Sequence, residues 1–365
     1  MSVANEPPVE SWWAAGDTPV REHTRVTYLV DGRTTMLTMC RRFLTARRYI
    51  YLANWGLAPT IRLVRGHDHR AGPDGSPEQE GLLAELRMEG LSEDDIAFWQ
   101  STELTLANVL AYKARQGVEV KALIWECLPR FTNLNPSAAH EQLTAVGVTC
   151  ILDDSAKGLL HHPVESLHQK ITIIDGTHAF VGGIDLLIEN NGDFDRWDMP
   201  RHHFATDLRR NEFDAAPHPW HDAHVFIEGT AVADVELNFR QRWNNVAERH
   251  HLGQEKFCQE HPQPPPVESS SLVQIVRTIP EHTYDFDPDP GIQGIAQIYA
   301  RAFANAERFV YLENQYFWLH AYFGVDVAWL GPDSPDMERN IINLGEALRR
   351  GATVSIVLPD HPNVG

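Results

Sequence analysis

Two segments of this 365-residue chain occur twice in the same order, and this internal repeat limits the fold more than any other feature. Residues 46–54 resemble residues 306–314, and residues 114–120 resemble residues 348–354. Each copy reads as a helix, a strand, a second helix and a second strand. Because helices that alternate with buried strands cover both faces of a sheet, the repeat predicts an α/β/α sandwich with one complete repeat and the start of a second.

The spacing of apolar residues sets the order of elements in the first copy. It predicts the helices Thr35–Arg48 and Thr105–Gln116 and the strands Tyr49–Ala53, Val118–Trp125 and Val148–Leu152. Residues 66–98 are rich in Gly, Asp, Glu and His, and we expect a solvated surface excursion there, with a lid as the alternative. We expect the first repeat over residues 1–260, a Pro/Ser-rich linker over 261–271 and a partial second repeat over 272–365.

The stretch Ser166–Leu186, SLHQKITIIDGTHAFVGGIDL, carries the residues best suited to chemistry. Its β-branched run Ile171–Ile174 predicts a buried strand, and residues 179–181 predict a returning strand. Since side chains two apart on a strand share a face, His168 and Lys170 point the same way. An imidazole that can attack phosphorus, beside an ammonium that can hold anionic oxygens, suits phosphoryl transfer; the alternative is a solvated pair at a strand end.

Between the two predicted strands, Asp175 and Gly176 predict a turn. Asp175 follows His168 by seven residues, roughly 20 Å along an extended strand at about 3.3 Å per residue. We therefore expect Asp175 to organise the turn or to pair elsewhere rather than to contact His168.

The spacing in this stretch resembles the first HKD motif of the phospholipase D superfamily, and the matching residues are His168, Lys170, Asp175, Gly182, Gly183 and Asp185. Further blocks are similar to eukaryotic-type phospholipases D, in the same order: Arg196-Trp197-Asp198, Pro219–Asp222, Glu228-Gly229, Asn238-Phe239-x-x-Arg242-Trp243 and Tyr311–Phe317. The resemblance covers most of the chain from about residue 40 to the end. It implies the fold of that superfamily and a phosphodiesterase activity on glycerophospholipids.

The resemblance also implies a role for each matching residue. His168 is the expected nucleophile, which forms a phosphohistidine, and Lys170 stabilises charge on the non-bridging oxygens. Asp222 is expected to accept the far imidazole N–H of His168; the alternative is a carboxylate that only shapes a turn. The expected site comprises catalytic residues and substrate-binding residues, namely His168, Lys170, Asp175 and Asp222 in the first group and Gly182, Gly183, Asp185 and Asn314 in the second.

This sequence departs from the two-motif members of the superfamily because it has no second HKD motif. His168 follows Gly117 by 51 residues. Gly351 is the equivalent of Gly117 in the second copy, so the same spacing predicts a second motif near position 402. The chain ends at Gly365, in the middle of the second repeat, so we expect a fragment of a longer protein. The alternatives are a separate C-terminal half and a homodimer that builds one site across a two-fold axis.

Charge and composition limit the classes of partner and cofactor that we expect for this chain. The formal net charge of −19 argues against a nucleic-acid partner, so we expect a glycerophospholipid substrate and only transient contact with a membrane surface. Four scattered cysteines and histidines without i, i+4 spacing indicate neither a disulfide framework nor a metal site, and we expect no cofactor. The amino terminus lacks the features of a signal peptide, which predicts a cytoplasmic protein that is at most peripheral to a membrane.

We therefore expect a phospholipase D-like enzyme that hydrolyses or transfers a lipid headgroup through a phosphohistidine. One alternative is a phosphatidyltransferase like cardiolipin synthase, in which transfer to a second lipid alcohol dominates. Another is a catalytically inactive half-domain that binds phosphate or lipid. The acidic charge disfavours a nuclease.

Overall fold

The computed structural model describes residues 12–127, 134–155, 168–189, 194–197, 221–287, 291–317, 320–322 and 330–358. The chain divides into two compact units. The larger comprises Arg21–Ser155 and Ser166–Val273, and the described part of the smaller comprises residues 12–20 and those from Gln274 onward. The predicted domain limits at 260 and 272 remain predictions.

In the larger unit, helices alternate with strands along the chain. The elements are β1 (Thr24–Val30), α1 (Asp31–Thr45), β2 (Tyr49–Asn54), α2 (His67–Arg70), α3 (Pro77–Met88), α4 (Glu93–Ser101), α5 (Leu106–Arg115), β3 (Glu119–Trp125), α6 (Pro136–Ala145), β4 (Thr149–Asp153), β5 (Lys170–Ile174), β6 (His178–Gly182), β7 (Ile188–Glu189), β8 (Phe194–Asp195), β9 (Ala223–Gly229) and α7 (Val232–Arg249). The strands and helices predicted from the first repeat are confirmed, with ends shifted by a few residues.

Seven of the described strands form one sheet in the order β1-β9-β6-β5-β2-β3-β4. Strands β2, β3 and β4 run parallel, whereas β5 lies antiparallel to β2 and begins the antiparallel half of the sheet. Consequently, the carboxyl ends of β2, β3 and β6 lie at the same edge as the amino ends of β5 and β9. The carboxyl ends of β1 and β4 lie there as well, so residues from all seven strands meet at this edge.

Helices cover both faces of this sheet, as the α/β/α prediction requires. Apolar residues of α1 and of α3 to α6 pack on one face in a single core that includes Leu52, Ile124 and Phe180. On the other face, Phe239 of α7 stacks on Tyr51 with 4.9 Å between ring centroids. The larger unit is therefore an α/β/α sandwich, and among the described helices none is both long and apolar enough to span a membrane.

The expectation of a solvated excursion over residues 66–98 is wrong. This segment forms α2, α3 and the start of α4, and Leu86, Leu91 and Ile96 are buried in the main core. Its many charges lie on the outer faces of amphipathic helices, where Glu89 pairs with Arg41 and Arg87 pairs with Glu93. Composition alone concealed the apolar stripe that holds these helices on the sheet.

The smaller unit contains the beginning of the second repeat. Its elements are β10 (Thr278–Ile279), β11 (Ile292–Gln293), α8 (Gly294–Asn305), β12 (Phe309–Glu313), β13 (His320–Tyr322), β14 (Leu330–Asp333), α9 (Pro335–Arg349) and β15 (Thr353–Val357). Strands β12 and β15 pair in parallel, as β2 and β3 do in the larger unit. The predicted recurrence of helix, strand, helix and strand is confirmed.

Candidate active site

The candidate site lies at the edge of the large sheet where β5 begins. Lys170 is the first residue of β5 and pairs with Asn54, the last residue of β2. The backbone N–H of Trp55 donates to the carbonyl oxygen of Gln169 at 3.1 Å, which continues the contact beyond the strand. His168 is thereby held two residues before β5, at the carboxyl end of β2.

His168 stands against an aromatic wall. The ring of Trp55 meets the imidazole edge-on, with 5.1 Å between centroids, and Trp55 in turn stacks on Trp125 at 6.0 Å. Although part of the residue reaches solvent, the protein displaces water from the ring, and this lowers the pKa of His168. The positive charges of Lys170 and Arg196 lower the pKa further. The imidazole is therefore neutral at physiological pH, as a nucleophile must be.

Lys170 forms a buried ion pair with Asp185. Its Nζ lies 3.0 Å from Asp185 Oδ2, and the two side chains are only 2% and 5% exposed. Burial lowers the pKa of Lys170 and raises the pKa of Asp185, while their mutual attraction opposes both changes. The other carboxylate oxygen accepts the backbone N–H of Gly56 at 3.3 Å. The ammonium thus has a set position beside His168, whose carbonyl oxygen it reaches at 3.5 Å.

Asp222 lies at the same edge, immediately before β9. A Cβ atom on Gly183 would lie 2.1 Å from Asp222 Oδ1, so the carboxylate needs a glycine there. The backbone N–H of Asp222 donates to the carboxylate of Asp31, and the carboxylate of Asp222 accepts the backbone N–H of Ala223. The negative charge of Asp222 acts to raise the pKa of Lys170. The described contacts do not pair Asp222 with His168, so its orienting role stays a prediction.

The structure places Asp175 away from His168, at the opposite end of β5. Its carboxylate accepts the backbone N–H groups of Arg47, Arg48 and Tyr49 at 2.8 to 2.9 Å, which fastens the turn after β5 to the start of β2. Its φ of 53° is one that Asp tolerates better than most residues. These contacts support the turn-organising role that the distance along the strand predicts, and they do not bring Asp175 to the reacting group.

Sequence reasoning missed the polar network that holds Gln169, the residue between His168 and Lys170. Gln169 Oε1 accepts hydrogen bonds from Asn238 at 2.9 Å and from Arg242 at 2.6 Å. Arg242 also donates to Asp153 at 3.0 Å, and both side chains are almost completely buried. The spacing of Asn238 and Arg242, four residues apart on α7, puts them on one helix face. That spacing, within a block already similar to phospholipases D, was the available signal.

Arg196 is a second group whose role the sequence did not reveal. It is buried, and its positive charge acts on His168, Lys170 and Asp185. Its carbonyl oxygen lies so close to Gly32 that a Cβ there would be 1.7 Å away. The segment is therefore packed onto the start of α1 and adds positive charge to the site.

Asn314 belongs to the smaller unit, where it follows β12 directly. Its backbone N–H donates to the carbonyl oxygen of Val357 at 3.2 Å. By the internal repeat it is the equivalent of Asn54, which ends β2 beside Lys170. Its expected contact with substrate remains a prediction.

Histidines cluster at several points of the sequence, where they could in principle bind a metal. Within the described part of the chain, no group of three or more His, Cys, Asp or Glu residues is arranged to hold a metal ion. Of the histidines that form separate groups in the sequence, five lie outside the described residues, namely His161 and His162, His202 and His203, and His218.

Comparison with known proteins bears on this site. The family model for Phospholipase D matches residues 95–344. Phospholipase D alpha 3 from Arabidopsis thaliana is 25% identical over 373 residues, which cover 86% of this chain and 41% of the relative. Phospholipase D alpha 1 from Carica papaya is 27% identical over 376 residues, with the same two coverages of 86% and 41%. The chain thus spans less than half the length of these curated relatives.

Similarity to solved structures is weaker. Phosphatidylserine synthase from Haemophilus influenzae Rd KW20 is 12% identical with a TM-score of 0.44, covering 95% of this chain and 64% of that one. The phospholipase D family member Nuc from Salmonella typhimurium is 13% identical with a TM-score of 0.31, covering 62% and 95%. The family model, by contrast, matches well over half of the sequence and includes the whole of the His168 region. The resemblance seen in the motifs is therefore confirmed, and the chain belongs to the phospholipase D family.

Proposed function

We propose that this protein is a phospholipase D-type phosphodiesterase that hydrolyses or transfers the headgroup of a glycerophospholipid through a phosphohistidine at His168. The observation that carries the proposal is the placement of the His168 imidazole beside the buried ammonium of Lys170 at one strand end. The ammonium of Lys170 is held by Asp185 at 3.0 Å, so it is in place before substrate arrives. Such preorganised charge is the usual main source of transition-state stabilisation.

The chemistry proceeds in two displacements. A ring nitrogen of His168 attacks phosphorus, an N–P bond forms and the P–O bond to one alcohol breaks. Lys170 stabilises the charge on the non-bridging oxygens during this step. Water or another alcohol then attacks phosphorus, the N–P bond breaks and His168 is regenerated, which yields hydrolysis or headgroup transfer. The departing alkoxide needs a proton in the first step, and the attacking water or alcohol must give one up in the second. We assign both transfers to a histidine of a second HKD motif, which donates the proton first and accepts one afterwards.

A second motif on additional polypeptide would complete this mechanism. By the repeat, Phe309 and Tyr311 of β12 correspond to Tyr49 and Tyr51 of β2. The tyrosines of β2 are at most 2% exposed beneath α7, whereas Phe309 and Tyr311 are 73% and 56% exposed. Exposed aromatic residues on β12, which pairs only with β15 in the described part of the chain, are typical of a surface that a partner covers. This supports completion by further chain, by a separate C-terminal half or by a homodimer partner.

A second candidate is a catalytically inactive half-domain that binds phosphate or lipid. It is favoured by one observation, which is that the sequence holds a single HKD motif beside an intact buried Lys170–Asp185 pair. This candidate predicts phosphate binding without turnover. We also propose a cytoplasmic location. Contact with a membrane is expected to be only transient, since a net charge of −19 opposes binding to anionic lipid.

The proposal is tested by headgroup release from vesicles of phosphatidylcholine or phosphatidylethanolamine, measured over a range of protein concentrations. His168→Ala should abolish release. His178→Ala is the matched control, because His178 lies at the far end of the neighbouring strand, stacked on Phe226. Activity that rises more steeply than protein concentration would show that chains associate to complete the site. Absence of release at every concentration, with and without a C-terminal half added, would refute the enzyme and leave the binding role.

A further inference from the structure

His224 occupies a defined place in the row of residues that contains Lys170. It pairs with Gly182 across β9 and β6, and Lys170 pairs with Asn54 across β5 and β2. Val181 pairs with Ile171 across the antiparallel strands β6 and β5, which places the next residues along, Gly182 and Lys170, opposite each other. Since paired residues on adjacent strands point to the same face, His224, Lys170 and Asn54 share one side of the sheet.

The His224 ring lies over Gly182, on the side toward Lys170. A Cβ atom on Gly182 would lie 2.6 Å from His224 Nδ1, so the imidazole takes the space that a side chain on β6 would fill. Adjacent strands are about 4.8 Å apart, which leaves about 10 Å between the backbones of His224 and Lys170. A histidine ring and a lysine chain can converge across that gap because the residue between them is glycine.

The hydrogen bonding of His224 determines which nitrogen carries its proton. Nδ1 accepts the backbone N–H of Ile184 at 3.4 Å, so in the neutral ring the proton is on Nε2. Burial, and then the charge of Lys170, lowers the pKa of His224 to about 3. The ring is therefore a neutral N–H donor throughout the physiological range of pH.

That donor is buried without a partner. His224 is 1% exposed, and its Nε2 has no hydrogen-bond partner among the described residues. On the other side of Lys170, Oδ1 of the buried Asn54 is likewise unpaired within the described chain. Native proteins seldom bury polar atoms unpaired, and each one left unpaired carries a desolvation cost. Two of them on either side of a buried ammonium indicate a recess built for a polar ligand.

We propose that His224 is a substrate-binding residue whose Nε2–H donates to a non-bridging oxygen of the phosphate held at Lys170. This inference rests on the proposed function and extends it. The phosphate satisfies the unpaired donor, and the donor adds a directed hydrogen bond to the point charge of Lys170. His224 does not act as a nucleophile, because Nδ1 is occupied by Ile184 and Nε2 holds the proton.

The test uses the whole chain and inorganic phosphate as the probe, with affinity measured by titration calorimetry. His224→Asn keeps an acceptor where Nδ1 stands and removes the donor at Nε2, so phosphate should bind about 10- to 100-fold more weakly. His224→Gln places an amide N–H near the Nε2 position and should recover part of that loss. His178→Asn on the neighbouring strand is the control and should leave the affinity unchanged.

A second measurement does not depend on a variant that folds. In ¹⁵N-histidine spectra of the wild-type chain, the His224 signals should report the Nε2–H tautomer, and Nε2 should shift as phosphate is added. Equal affinities of wild type and His224→Asn would overturn the proposal, as would no phosphate binding by the wild type or an Nε2 signal insensitive to phosphate. Phosphate binding that depends on His224, together with no headgroup release at any concentration with or without a C-terminal half, would uphold the His224 role while refuting the proposed activity.

Discussion

Replacing Lys170 by methionine tests the buried ion pair most directly. The variant leaves Asp185 without its cation at a site where the carboxylate side chain is 5% exposed. Removing one partner of a buried pair costs about 3 to 5 kcal/mol, because an uncompensated charge stays in a medium that solvates it poorly. Since Gly56 supplies one hydrogen bond to Asp185, we expect a loss near the lower end, about 3 kcal/mol at pH 7.

The loss should depend on pH in a defined direction. Burial raises the pKa of Asp185 in the folded protein, and removing Lys170 removes the main influence that opposes this rise. At pH values between the pKa of Asp185 in the unfolded chain, about 3.9, and its raised pKa in the folded variant, the folded variant binds more protons than the unfolded chain. Its stability therefore falls as pH rises through that interval, and lowering the pH from 7 toward 5 should restore part of the loss.

The assay is urea unfolding followed by tryptophan fluorescence, in which Trp55 reports on the site because the Lys170 ammonium lies 5.4 Å from the centre of its ring. Lys256→Met, at an exposed position, is the control and should change stability by less than about 0.5 kcal/mol. The double variant Lys170→Met with Asp185→Leu removes both charges and should recover most of the loss. A loss below about 1 kcal/mol, or no recovery in the double variant, would refute a buried pair at this position.

Three further outcomes are expected. Arg242→Met should cost about 3 kcal/mol in urea unfolding, because it removes the guanidinium that lies 3.0 Å from the carboxylate of Asp153, which is 0% exposed. The loss should lie near the lower end of the range for a broken buried pair, since Ser155 and Arg249 still contact Asp153; an unchanged midpoint would contradict the network. In thermal melts, Gly183→Ala should destabilise the fold by about 1 to 3 kcal/mol, because the added Cβ overlaps the carboxylate of Asp222. The control Gly81→Ala, in open space on α3, should be neutral or stabilising by up to about 1 kcal/mol. Equal effects of the two substitutions would refute the close approach of Asp222 to Gly183. Because the pKa of His168 lies below its ordinary value, phosphohistidine trapped from a short-chain phospholipid should not decline between pH 7.5 and pH 6, and a fall centred near 6.5 would show an unperturbed imidazole.

Local patterns predicted the scaffold of the site well. The β-branched run before Asp175 and the returning strand after it became β5 and β6, since alternation and turn chemistry depend only on near neighbours. The same holds for the recurrence of helix and strand in the two units, which is visible as repeated sequence. His168 and Lys170 were found because their spacing is itself local.

Composition misled where burial depended on distant partners. Residues 66–98 look hydrophilic on average, yet Leu86 and Ile96 lie in the main core. A mean over a window does not register an apolar stripe on a helix whose other face is charged. Only the sheet beneath α3 and α4 decides that these residues are inside.

The sequence by itself determined the family, the strand that begins at Lys170 just after His168, and the absence of a second motif from these 365 residues. Tertiary structure alone decided that Asp175 fastens a turn, that Arg242 holds Gln169 from 73 residues away, and that the His224 ring lies over Gly182. The physical reason is range. Strand propensity and motif spacing act between neighbours, whereas hydrogen bonds and ion pairs at the site join residues that only the order and register of the sheet bring together.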